Sequence, residues 1–155
     1  MASPTQLAQQ FREVYLNGDW IARTNLKAEV AEMDWKLATT PVGPLNTIAL
    51  LVFHMDYYVG GLLQVLEGGS LDIRDKFSFD APTITSQEDW EALLNQVWHN
   101  AEQFALKVEQ LTEEQLQAPF VRVEYGTYER NIDAMIEHGY YHLGQIVLQK
   151  KLLEG

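Results

Sequence analysis

The chain has 155 residues, no cysteine and a formal net charge of −11. The missing cysteine excludes disulfides, zinc–thiolate sites and cysteine nucleophiles, and the acid excess argues against binding phosphate backbones or anionic lipid heads. A hydrophobic content of 46% suits one packed domain over residues 1–155.

Ser3-Pro4 reads as an N-cap followed by proline at the first helical position. Leu7, Phe11, Val14 and Tyr15 then recur at helical spacing, and Asn17-Gly18 punctuates the segment. Ala22, Leu26, Val30 and Met33 carry the same period over about Ile21 to Met33, and the two stretches together are expected to form one broken helix or two short ones. Ala38 to Pro44 reads as a loop. About Leu45 to Leu66 is apolar nearly all round, as in a helix buried on most of its circumference, and Gly68-Gly69 ends it. Its longest uninterrupted apolar run, Ile48 to Phe53, is too short for a membrane span.

Residues 70–85 read as an irregular loop. Ser86 and Asp89 have capping-box spacing. Behind them Trp90, Leu94, Val97, Ala101, Phe104, Val108 and Leu111 alternate steps of four and three, the pattern of a bundle seam. Val121-Arg122-Val123 is β-like, and a last helix is predicted from about Thr127 to Leu153. Four main helical stretches without a convincing sheet predict an all-α fold, an antiparallel four-helix bundle. The first ten residues lack the basic and apolar regions of a signal peptide. The expected location is cytoplasmic.

Histidines supply the chemistry. His138 and His142 lie four apart, on one helix face, so two imidazoles can reach one ion. On that helix they fall roughly opposite a strip of Asp133, Glu137, Tyr140 and Lys151. On the earlier helix His54 falls opposite a solvent strip read as Asp56, Gly60 and Glu67. Three inward imidazoles need partners, and a shared metal ion supplies one. Hydrogen bonds to Tyr57, Tyr58 or Tyr141 are the alternative that the sequence leaves open. His99 shares a face with Asn95, Gln96, Glu102 and Gln103 and is read as exposed, not a ligand. The pattern is not H-E-x-x-H, because Glu137 precedes His138 and no glutamate follows it.

Thr47-Ile48-x5-His54 opening a buried helix, with Ile136-Glu137-His138-x2-Tyr141-His142-x-Gly144-Gln145-Ile146 late in the chain, resembles the DinB/YfiT-like metalloenzyme family over about Asn25 to Leu153. The resemblance implies a four-helix bundle with His54, His138 and His142 holding a divalent ion, usually nickel or zinc. It places Gln145 beside the site or in the packing of its helix. It implies a metal-dependent enzyme, first a thiol-dependent S-transferase acting on a small electrophile with a low-molecular-weight thiol such as bacillithiol, mycothiol or glutathione. A metal-dependent hydrolase and a non-catalytic metal-binding bundle are the alternatives. Family members often pair, so a homodimer is among the expectations.

Asn131 and Gln145 share the histidine face and, with Tyr58 and Tyr141, are candidates to support the ligands. Gly61 lies two turns from His54 on the same face, where it either leaves room for substrate or lets helices approach closely, the packing reading being preferred.

Overall fold

Side-chain caps fix where the helices begin. In the computed structural model, which describes residues 2–155, the α-helices are α1 (Pro4–Arg12), α2 (Leu26–Val30), α3 (Trp35–Ala38), α4 (Ile48–Leu66), α5 (Gln87–Glu109), α6 (Glu113–Gln117) and α7 (Tyr128–Glu154). Ser3 and Gln6 form a reciprocal capping box ahead of α1. The hydroxyls of Thr47, Ser86, Thr112 and Thr127 accept the first free amides of α4, α5, α6 and α7. Each such cap is worth about 1 kcal/mol. The fold is all-α: the described residues contain no strand, only an isolated bridge between Pro119 and Thr127.

The four long helices pack in a ring, α4 against α5 and α7, and α1 against the same two. Phe11, Tyr15 and Phe104 stack where α1 and its π-helical extension Glu13–Asn17 meet α5. Trp90 is fully buried, and its indole N–H donates to the Met33 carbonyl at 3.0 Å, tying α5 to the loop before α3. Ile48–Leu66 is long and apolar enough by composition to cross a membrane, but most of it is buried inside the protein, as the core helix of the ring.

Four details depart from expectation. Within residues 21–33 only Leu26–Val30 is helical, capped by Asn25. Arg23 just before it has φ of 57°, which no α-helix accommodates, and Ile21 is exposed. Asp89 does not close a box with Ser86; its carboxylate accepts from the backbone N–H and hydroxyl of Thr85. Val121–Val123 is no strand: Val121 has φ of 60°, a costly conformation for a β-branched residue, and a 3-10 turn follows at Val123–Tyr125. Asp56, read as solvent-facing, is buried, because Gln96 Nε2 (2.8 Å) and Asn100 Nδ2 (3.0 Å) on α5 donate to its carboxylate. Burial raises the Asp56 pKa, and those two bonds oppose the rise.

Gly61 settles as a packing glycine. A Cβ there would collide with Ile73 Cγ2, so its bare face seats the loop after α4 and not, as expected, a neighbouring helix. That loop runs back along α4 past Tyr57 and Tyr58 to His54.

Candidate metal centre

His54 comes from the middle of α4, and His138 and His142 from successive turns of α7. Gly139 lets α7 seat closely on the π-helical turn, since a Cβ on it would lie 2.8 Å from Tyr15 Cε2 and 3.1 Å from Val14 Cγ2. The result brings the three imidazoles together: their ligand nitrogens lie within 4.8 Å of one another. His138 Nε2 stands 3.1 Å from His54 Nε2 and 3.0 Å from His142 Nε2. The two separations at His138 match the roughly 3.0–3.4 Å between nitrogens that share one ion at about 2.1 Å, for right-angle to tetrahedral arrangements.

The proton inventory favours a cation over a purely hydrogen-bonded cluster. The His142 Nδ1–H donates to Gln145 Oε1 at 2.6 Å, which leaves Nε2 of His142 as a bare lone pair. A proton on His138 Nε2 can be aimed at only one of its two neighbours, and a lone pair there would face that of His142. A divalent ion accepts all three lone pairs at once, and the His54/His138/His142 cluster is thus able to hold one. The Nδ1 atoms of His54 and His138 are buried without a hydrogen-bond partner.

Electrostatics keep the donors neutral. Burial lowers the pKa of each histidine. His138 is pushed down to about 4, by burial first and then by His142 and His54. For His54, His142 adds to the lowering, while the Ser78 backbone and Asp75 oppose it. The Gln145 bond partly offsets the effect of burial at His142. At neutral pH the ligand lone pairs are therefore free, the state that a metal requires.

Around the triad, Gln145 orients His142 directly. Tyr58 sits edge-on to His54 and His138, with its hydroxyl donating to Asp75 Oδ1 at 2.6 Å. Tyr141 stands edge-on to His142 and is largely exposed. Tyr57 bonds the Arg74 backbone instead. Asn131 shares the histidine face of α7, but its amide donates to the carbonyls of Tyr125 and Thr127. His99 is exposed on α5.

Two contributions had no signal in the sequence. Phe79, from the loop after α4, stacks flat on the His54 ring at 4.1 Å with an interplanar angle of 2°. Asp75, from the same loop, fixes Tyr58. A third was legible in the spacing: His138, His142, Gln145, Gln149 and Leu152 step by four and three along one stripe of α7, and all line an open cavity of about 740 Å³ over the triad. Leu45, from the loop before α4, and Leu148 complete its apolar wall.

A larger groove, of about 770 Å³ between the α1 face and Tyr140, contains none of the histidines.

Among known proteins, the family model described as the DinB superfamily matches residues 21–146. No curated protein and no solved structure matches the chain. The match spans both halves of the histidine cluster, from the α4 ligand to the α7 pair, and the chain belongs to the DinB superfamily.

Proposed function

We propose that this protein is a divalent-metal-dependent enzyme acting on a small molecule, and that His54, His138 and His142 are its ligands. The observation that carries this reading is the convergence of three neutral imidazole nitrogens on the floor of an open cavity. Three protein ligands leave coordination positions for a substrate or nucleophile, as in catalytic sites. Bound there, nickel or zinc supplies Lewis acidity, lowering the proton affinity of a coordinated thiol or water.

The protein's own groups do the rest. Gln145 holds His142 with its lone pair toward the centre. Phe79 covers one face of His54 and keeps water from it. The chain contains no cysteine, so a sulfur nucleophile has to arrive as a small thiol. Transfer of such a thiol to an electrophile is the first reading. Hydrolysis is the second, and the cavity favours it in one respect. No lysine or arginine lines the cavity, so the carboxylates of a glutathione-like thiol find no partner there.

The test supplies metal-loaded protein with bacillithiol, mycothiol or glutathione and a chromogenic aryl halide, and separately with chromogenic esters. Thiol-dependent turnover that disappears in a folded His142→Ala variant supports transfer. Ester turnover lost in the same variant supports hydrolysis. Tight metal binding without turnover on either panel overturns the enzyme reading in favour of a non-catalytic metal binder.

A further inference from the structure

Beyond the triad, the cavity has a chemistry of its own. The residues over the metal centre include no aspartate, glutamate, lysine or arginine. Its mouth carries large apolar side chains that remain accessible: Tyr141 is 64% exposed, Leu148 59%, Leu152 58% and Leu45 51%. Single exposed apolar residues are ordinary, but several around one opening mark a binding surface. Within the wall Gln149 is only 4% exposed, and its Oε1 has no hydrogen-bond partner. An unpaired buried acceptor is costly, and a ligand donor would relieve it.

We infer that this cavity selects an uncharged substrate, with an apolar body against Leu45, Leu148 and Leu152 and one N–H or O–H group donating to Gln149. A charged group would lose its water and gain no counter-ion. Gln149 lies seven residues beyond His142, about 10 Å along the α7 axis. The donor therefore sits at the far end of a short chain whose other end reaches the metal. This inference rests on the metal-centre reading above and adds the substrate class.

The experiment uses full-length, zinc-loaded protein and isothermal titration calorimetry with four hydroxamates, which anchor on the ion and differ only in the tail. The probes are acetohydroxamate, hexanohydroxamate, the ω-hydroxy derivative of hexanohydroxamate and the monohydroxamate of adipic acid. Hexanohydroxamate is expected to bind at least about tenfold more tightly than acetohydroxamate, each fully buried methylene being worth roughly a fourfold gain. The carboxylate-tipped adipic probe loses that gain. The hydroxyl-tipped probe matches or exceeds hexanohydroxamate in the native protein. In Gln149→Leu, which keeps the side-chain volume, the ratio shifts toward hexanohydroxamate by about fivefold.

Equal binding of the acetyl and hexanoyl probes, or tightest binding of the adipic probe, overturns the inference and leaves the metal reading intact. An unchanged ratio in a folded Gln149→Leu variant overturns the part assigned to Gln149. Failure of every hydroxamate on protein that holds zinc overturns this inference alone, whereas failure of zinc itself to bind sinks the metal reading and this inference with it.

Discussion

Replacing Gln145 with leucine is the sharpest probe of the site, because Gln145 touches a ligand and not the ion. In the native protein the His142 Nδ1–H is held by Gln145 Oε1 at 2.6 Å. That bond selects the tautomer whose Nε2 lone pair faces the other two imidazoles, and it raises the basicity of His142 against the effect of burial. Leucine leaves Nδ1 without that partner. The ring then populates the wrong tautomer, and its pKa falls further. Removing a partner of this kind typically weakens metal binding by about 10- to 100-fold, or roughly 1.4–2.8 kcal/mol. Zinc affinity at neutral pH, measured by competition with a chromophoric chelator, reads this directly. Circular dichroism melting of the apo form confirms the fold. Gln145→Glu provides the opposite arm: a carboxylate in the same place holds the same tautomer and raises basicity, so affinity should stay level or rise. A folded leucine variant binding zinc as tightly as the native protein would refute the argument that Gln145 sets the ligand state.

Four further outcomes are expected. Chelation should lower the melting temperature of metal-loaded protein, since an ion at a hundred times its Kd stabilises the native state by about 2.7 kcal/mol; an unchanged melt would mean that nothing is bound. On acidification, metal affinity should persist below the ordinary histidine pKa of about 6.5, because burial lowers the pKa of all three ligands; a loss of affinity centred at 6.5 or above would refute this. The sign for the apo protein follows: between about 6.5 and about 4 the unfolded chain takes up a proton that folded His138 refuses, so stability is present above about 6.5 and lost as pH falls toward 4. Urea melts across that window check it, and His138→Gln should flatten the slope. Finally, Gly139→Ala should destabilise the fold by about 1–3 kcal/mol, because the new methyl meets Tyr15 and Val14; a neutral result in thermal melts would show that the π-helical turn yields without cost.

The histidine triad was legible because helical periodicity alone turns His54, His138 and His142 inward, and α4 and α7 are long enough for the period to hold. The same rule misplaced Asp56. A helical wheel sends a carboxylate to solvent, and only the tertiary pairing with α5 reveals Gln96 and Asn100 waiting for it. Phe79 and Asp75 were beyond reach for a different reason. They belong to a segment without periodicity, whose path is set by Ile73 dropping onto Gly61. Asn131 shows the converse: its face was read correctly, but a nearby turn offered carbonyls closer than the histidines. The broken stretch before α2 and the Val121 turn depend on positive φ at non-glycine residues, which composition does not announce.

The division of the ligands between two helices has a mechanical consequence. His138 and His142 are neighbours one turn apart and can grip an ion whenever α7 is wound. His54 is 84 positions from His138 and joins them only when α4 is docked. Closing a span of that length in a disordered chain costs about 4 kcal/mol in entropy, so a denatured molecule keeps at most the weak local pair. Full affinity is thus a gauge of whether two distant parts of the chain are in register. As α4 parts from α7, the ion should escape before α7 itself unwinds.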